Sequence, residues 1–340
     1  MKNRYRAGVD IGGTKTAVLL SCEPPEVLSR IEFPTLASQG AEQAIEKIRK
    51  SLRQLLSAPG IGAQDLVAIG VSCGSPLDRI NGVIQSPPNL STWVDVPITS
   101  ILSDEFGVPA GLENDANAGA LAEHRFGAGR GTQHMVFLTM GTGLGAGIIA
   151  NGQLYHGASD LAGEVGHVRL TRTGPVGHNK AGSAEGWASG AGMAEYARTA
   201  VAAAERDGRF TTLREFSRDK MALTAHDVAR AAQGGDALAK SIIETVGEKL
   251  GSVMAILIDI LNPEVIVVGG LAMRLGEAIL EPARRMVQLE SLAPAVSACR
   301  IVPAVLDERI GDLAALCVAM NVEVKEEDVF PEPAGSNRGL

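Results

Sequence analysis

Aromatic side chains are scarce: two Trp, three Tyr and seven Phe make up 4% of the 340 residues. A core without large rings has to be filled by Ala, Val, Leu and Ile against closely approaching backbone, and the 40 glycines permit that approach. Such a composition favours layered α/β packing. Cysteine is equally sparse. Cys22, Cys73, Cys299 and Cys317 lie far apart with no C-x-x-C pair, so a redox dithiol or paired-thiolate metal clamp is excluded, and the four read as small buried hydrophobes. Basic clusters are lacking, and a formal net charge of -8 gives no electrostatic reason to expect nucleic acid or an anionic membrane as partner. Long apolar runs are missing too. None approaches the roughly 18 residues of a membrane span, and the opening Met-Lys-Asn-Arg-Tyr-Arg has no apolar signal core. The expected location is the cytoplasm.

What the chain has is length for two ordinary domains, with 45% hydrophobic and 21% charged residues. Strands are expected at Ala7–Ile11, Thr16–Leu20, Leu28–Phe33 and Leu66–Val71, with a helix from about Gly40 to Leu56 marked by Ala41, Ala44, Ile45, Ile48 and Leu52 at helical spacing. Ser75 to Pro97 is rich in Pro, Asn, Ser and Gly and reads as ordered loop that lines a site. A helix near Ile98–Phe106, a strand at Ala110–Glu113 and a helix from Asn114-Asp115 to about Phe126 follow. Met135–Thr139 then opens a second lobe. Beyond it come a hairpin through Asn151-Gly152, a long loop from His156 to Gly182, and a helix over about Ala237 to Leu261 ended by Pro263. Val265–Val268 reads as a buried strand broken by Gly269-Gly270, and a final helix near Gly311–Asn321 is expected to pack back on the first lobe. Residues 323–340 lack core-forming content and read as a flexible acidic tail.

Two glycine turns carry the chemistry. Asp10-Ile11-Gly12-Gly13-Thr14-Lys15-Thr16 and Gly141-Thr142-Gly143-Leu144-Gly145-Ala146-Gly147 each follow an apolar strand and lead into another, a faint internal repeat that implies two related lobes. Glycine lets a turn bring N–H groups close to phosphate oxygens. Thr14 and the amides after Gly12, assisted by Lys15, would hold phosphates from one lobe. Gly141, Thr142 and Gly143 would meet them from the other. Neither turn fits the Walker pattern or a G-x-G-x-x-G that opens a helix. Asp10, a carboxylate at the end of a strand facing the first turn, is placed to bind a hydrated magnesium ion bridging nucleotide phosphates, the plain alternative being a turn residue. In Glu113-Asn114-Asp115-Ala116-Asn117 a helix N-cap explains one residue but not four polar ones in five. Asp115 can accept a proton from a substrate hydroxyl while Asn114 fixes a neighbouring one. Glu164 and His167, flanked by glycines, suit a polyhydroxyl ligand better than a metal, and Asn89 and Glu185 extend that polar set.

Taken in order, these segments resemble the ROK family (repressors, open reading frames, kinases) of actin-like sugar kinases, over about residues 6 to 322. The resemblance implies a two-lobed, ribonuclease H-like α/β fold with a mixed sheet flanked by helices in each lobe. The lobes would be 1–120 with about 311–322, and 121–310, hinged so that closure excludes water. Asp115 would be the general base, and Asn89, Asn114, Glu164, His167 and Glu185 the sugar ligands. Val267-Val268-Gly269-Gly270 would be the nucleoside-side glycine pair. The implied reaction is transfer of a phosphoryl group from ATP, with Mg2+, to the 6-hydroxyl of a glucose-like or N-acetylated hexose, by a homodimer. A non-catalytic sugar sensor of the same fold is the alternative. Three features depart from the family pattern. Where many members bind a structural zinc through three cysteines and the signature histidine, this chain has Gly177-His178-Asn179-Lys180-Ala181-Gly182-Ser183. No structural zinc is expected, so backbone packing would hold the loop and leave His167 to serve the sugar alone. Ser72 to Asp78 is shorter than the usual G-x-P-G-x-V-D, which leaves a sugar contact there unassigned. Only about nine residues precede Asp10, so the repressors' helix-turn-helix is not expected.

Overall fold

The structure, a computed structural model, describes residues 4–216 and 223–327. The chain divides into two compact units, Met1–Ala118 with Gly311–Leu340, and Gly119–Ile310. The first unit contains β1 (Tyr5–Ile11), β2 (Lys15–Ser21), β3 (Ser29–Pro34), α1 (Ala41–Leu56), β4 (Leu66–Cys73), β5 (Leu77–Asp78), β6 (Val83–Ile84), α2 (Ile98–Phe106) and β7 (Ala110–Asn114). Helix α3 (Asp115–Phe126) then leads into the second unit. There β8 (Met135–Met140), β9 (Leu144–Ala150), β10 (Gln153–Leu154), β11 (Val176–Gly177) and β12 (Lys180–Ala181) precede a helical run. That run is α4 (Ala184–Ala188), α5 (Gly190–Arg206), α6 (Leu213–Phe216), α7 (Ala225–Gln233) and α8 (Ala237–Leu261). After it come β13 (Val265–Gly270), α9 (Leu271–Leu275), α10 (Glu277–Glu290), α11 (Ala293–Ala298), β14 (Arg300–Pro303) and α12 (Ile310–Glu327).

The two main sheets share one plan. Their strand orders are β3-β2-β1-β4-β7 and β10-β9-β8-β13-β14. In each, the first three strands form an antiparallel meander and the last two join in parallel. Each glycine turn is therefore the tip of the same hairpin, β1–β2 in one unit and β8–β9 in the other. The repeat that was faint in sequence is plain in topology.

Glycine does in the first sheet what the shortage of aromatics demanded. Gly8, Gly70 and Gly111 stand side by side on β1, β4 and β7. A Cβ on Gly70 would lie 2.1 Å from the Ala315 carbonyl oxygen, and one on Gly111 would lie 2.2 Å from Val322 Cγ2. The row is a groove in which α12 lies directly on the sheet through Ala315 and Ala319. The other face carries α1, whose Ala44, Ile45, Ile48, Leu52, Leu55 and Leu56 are buried as their helical spacing requires. In the second unit Gly247 and Gly251 of α8 let α10 approach at Pro282 and Ala283. Each unit has its own apolar core.

Four expectations need correction. Ser75 to Pro97 contains the β5–β6 hairpin and a 3-10 turn at Pro88–Leu90, and it inserts Ile84, Leu90 and Trp93 into the first core. Gly269-Gly270 does not break its strand, since β13 pairs with β8 through Gly270, which then precedes α9. The first five residues assigned to the tail, 323–327, continue α12, and 328–340 lie outside the described residues. The long loop 156–182 carries the β11–β12 hairpin. Among the described residues no helix is long and apolar enough to cross a membrane.

Candidate active site

In the first unit the candidate residues gather where parallel strands end, the usual place for a ligand in an α/β sheet. Asp10 on β1 is in register with Ser72 on β4, and Asn114 ends β7 opposite Cys73. Asp115 begins α3 and is exposed. Asn114 caps that helix, its Oδ1 accepting the Asn117 N–H at 2.8 Å, which leaves its amide NH2 as the donor for a ligand. Beneath it the buried Glu113 accepts from Asn114 N and Asn117 Nδ2, both at 3.0 Å, and so fixes the bend from strand to helix. The first glycine turn is tied by Gly12 N to Lys15 O at 3.0 Å and by Thr35, which donates to the Gly12 carbonyl at 2.6 Å. Asn89 is brought against this turn from the Pro-rich loop, and a Cβ on Gly13 would stand 2.6 Å from Asn89 Cβ. Only glycine fits there. Lys15 turns elsewhere: its ammonium is bound to Glu32 at 3.0 Å, in a surface network where Arg30 also holds Glu32 and Asp312. To assist with phosphate, as expected of it, Lys15 would have to leave this exposed pair, which costs little.

The Asp10 carboxyl is raised from 3.8 to about 6, first by burial and then by the negative charges of Asp312 and Asp115, against the pull of Lys15 and Arg30. An excess of carboxylate charge at a strand end calls for a cation. Among the described residues no three His, Cys, Asp or Glu are arranged to ligate a metal directly. One or two carboxylates acting largely through water is the ordinary protein contribution to a magnesium ion that also holds phosphates, so Asp10 fits that ion.

The second unit holds the rest of the polar set. Glu185, near the start of α4, accepts the Leu144 N–H through Oε2 at 3.2 Å and so ties down the β8–β9 turn. Its Oε1 lies 3.1 Å from Nε2 of His178. The His178 ring stacks on His167, centroids 4.1 Å apart, and His167 Nε2 lies 3.8 Å from Glu164 Oε2. Glu164, His167 and Glu185, read separately from sequence, thus form one cluster with His178 at its centre. The loop is held by side chains as well as by backbone, and His167 does not stand alone.

Beside this cluster the same unit has a cavity of about 440 Å3. Three of the residues read from sequence as nucleotide ligands, Gly141, Thr142 and Gly270, line it. Gly143 instead abuts Glu185, and Gly269 lies behind, against the Phe137 ring. Sequence reasoning missed the far wall: Gly190 and Ala191 at the start of α5, Thr224 to His226 at the start of α7, and Arg274 on α9. One signal was available, the Thr224-x-x-Asp227 capping box that marks a helix N-terminus.

Two α/β units on one strand plan, each with a glycine hairpin at its sheet, define a chain of the actin-like fold class. The ROK family model matches residues 6–321, and the chain belongs to the ROK family. It is 33% identical to a glucokinase of Halalkalibacterium halodurans over 84% of this chain and 86% of that protein. It is 29% identical to a xylose repressor of Caldicellulosiruptor bescii over 96% and 80%. The structure of a ROK family glucokinase from Streptomyces griseus, in complex with glucose and AMPPNP, superposes with a TM-score of 0.74 at 28% identity, covering 93% of this chain and 99% of that one.

Proposed function

We propose that this chain is an ATP- and magnesium-dependent hexose kinase that phosphorylates the 6-hydroxyl of its sugar. The observation that carries the reading is the acidic end of the first sheet, where Asp115 at a helix start neighbours an Asp10 whose carboxyl is raised to about 6. A proton acceptor and a cation-binding carboxylate are what phosphoryl transfer asks of a protein beyond positioning. Asp115 takes the proton of the acceptor hydroxyl. Asn114 and Asn89 donate to or accept from neighbouring hydroxyls, and Glu164, His167 and Glu185 do the same from the second unit. The amides of Gly13 and Thr14 and the turn at Gly141 to Gly143 receive phosphate oxygens. The cavity beside Gly270 takes the nucleoside. Magnesium, held through Asp10, supplies charge neutralisation on the phosphates.

The likeness to the glucokinase crystallised with glucose and an ATP analogue supports ATP as donor and a hexose as acceptor. Likeness to the xylose repressor keeps the non-catalytic sensor as the competing function, and the presence of both glycine turns and Asp115 favours the kinase. The test is ADP release by purified protein over glucose, fructose, mannose, allose and N-acetylated amino sugars. Asp115→Asn should bind sugar almost as tightly and turn over roughly a hundredfold or more slowly, the scale of a lost general base. Retention of most turnover would remove Asp115 from that role.

A further inference from the structure

The hairpin β11–β12 turns through two residues, His178 and Asn179, at φ of +48° and +57°. Both positive values define the tight turn that suits two paired strands, and its favoured occupants are Asn and Gly. Histidine enters the left-handed region more readily than most residues that carry a Cβ, but it is not one of the usual occupants of this turn, and only glycine is wholly unstrained there. A position where a smaller residue would be more comfortable instead carries an imidazole engaged on two sides. Nε2 reaches Glu185 Oε1 at 3.1 Å, and the ring lies on His167 at 4.1 Å with an interplanar angle of 26°. The neighbouring Lys180 donates to the His167 carbonyl at 2.7 Å, so the hairpin also grips the backbone behind that ring. Glu185 in turn holds the β8–β9 turn through Leu144 N.

We propose that His178 is a positioning residue that orients the Glu185 carboxylate and the His167 imidazole for sugar hydroxyls, and that histidine stands in the turn in place of the usual Asn or Gly for this purpose. The inference rests on the sugar-binding reading of those two residues. Glu185 is the less exposed partner, its side chain 18% exposed against 46% for His178. Its two oxygens have separate tasks. One secures the glycine turn. The other is aimed by His178, and without that contact the carboxylate keeps a single anchor at Leu144 N, can swing about it, and presents a hydroxyl with a less closely fixed acceptor. The stack restrains His167 in the same way, since a ring flanked by another ring loses its alternative tilt.

His178→Gly separates this role from a structural one. Glycine accepts φ near +48° without strain, so the melting temperature should hold or rise. The KM for the sugar with fastest turnover in the panel should rise about tenfold or more, with the KM for ATP within about twofold of wild type. His178→Gln, whose amide can reach Glu185 but cannot stack as a heteroaromatic ring, should recover part of the loss. In a double-mutant cycle His178→Gly should cost less on a Glu185→Ala background than alone, the remainder being the part that acts through His167. An unchanged sugar KM in His178→Gly, with Glu185→Ala strongly impaired, overturns the positioning role and leaves the sugar site intact. A His178→Gly protein that loses stability along with affinity makes the residue structural and also overturns it. If Glu185→Ala and His167→Ala both keep the wild-type sugar KM, the sugar-binding reading fails, and the inference with it.

Discussion

Asp10 should make the free protein less stable than it could be. Its carboxyl stands at about 6 in the folded chain against 3.8 ordinarily, raised by burial, then by Asp312 and Asp115. A displacement of that size is worth about 3 kcal/mol, at about 1.4 kcal/mol for each tenfold in the proton equilibrium. A group whose folded value is raised contributes stability that is complete below its unfolded value and lost as pH rises through its folded one. The native chain should therefore lose up to about 3 kcal/mol between roughly pH 4 and pH 7 on account of this one side chain. Asp10→Asn removes the charge with little change of shape. In the absence of nucleotide at pH 8, the variant should be the more stable by up to about 3 kcal/mol, or several degrees in melting temperature. At pH 4.5 the gap should shrink to about 1 kcal/mol, because native Asp10 is then protonated and the unfolded carboxyl only partly ionised. The assay is thermal unfolding followed by circular dichroism at both pH values in low salt. Magnesium with ATP should then raise the melting temperature of the wild type and not that of the variant, whose turnover should be lost. An Asn variant no more stable than wild type at pH 8, or one with the same gain at both pH values, would refute the reasoning.

Gly70→Ala should destabilise the first unit by at least about 2 kcal/mol, since the added methyl would meet the backbone of α12 at Ala315 and Ala319, and backbone cannot step aside; denaturant midpoints check this. Glu123 is fully buried and accepts three backbone N–H groups, from Ala128 at 2.8 Å and from Val305 and Leu306 at 3.0 Å. Glu123→Ala should cost about 3 kcal/mol or more by leaving those donors unpaired, read as a lowered melting temperature. Thiol labelling of the native protein should modify the exposed Cys22 first. Cys73 should stay silent until unfolding, because it is buried and its thiol is pushed far up by burial and by the charges of Asp115 and Asp10.

Local pattern was enough for the regular elements. Alternation and apolar runs located β1 to β4, β7 and β8 within one or two residues, and helical spacing placed α1, α2 and α8. Turn chemistry was also legible: Asn151-Gly152 forms its hairpin with both φ values positive. The two-residue strands β5, β6, β11 and β12 were not, because a strand that short has no period to read. Nor was edge strand β14, whose pairing with β13 depends on a partner 35 residues away in sequence.

The site divides along the same line. Sequence by itself determined which residue types stand next to the glycine turns, since a carboxylate at a strand end and a Gly-Thr tip are consequences of neighbours a few positions apart. Which groups those residues touch was decided only in three dimensions. Lys15 followed Glu32 on the adjacent strand rather than the turn it belongs to, and His178, indistinct in sequence, became the link between Glu185 and His167. The row of Gly8, Gly70 and Gly111 shows the reason. Three glycines dozens of positions apart mean nothing singly, and sheet register makes them one groove that seats α12 and so brings Asp312 close enough to raise Asp10. Charge and contact act over ångströms of space, and the chain's own spacing does not record them.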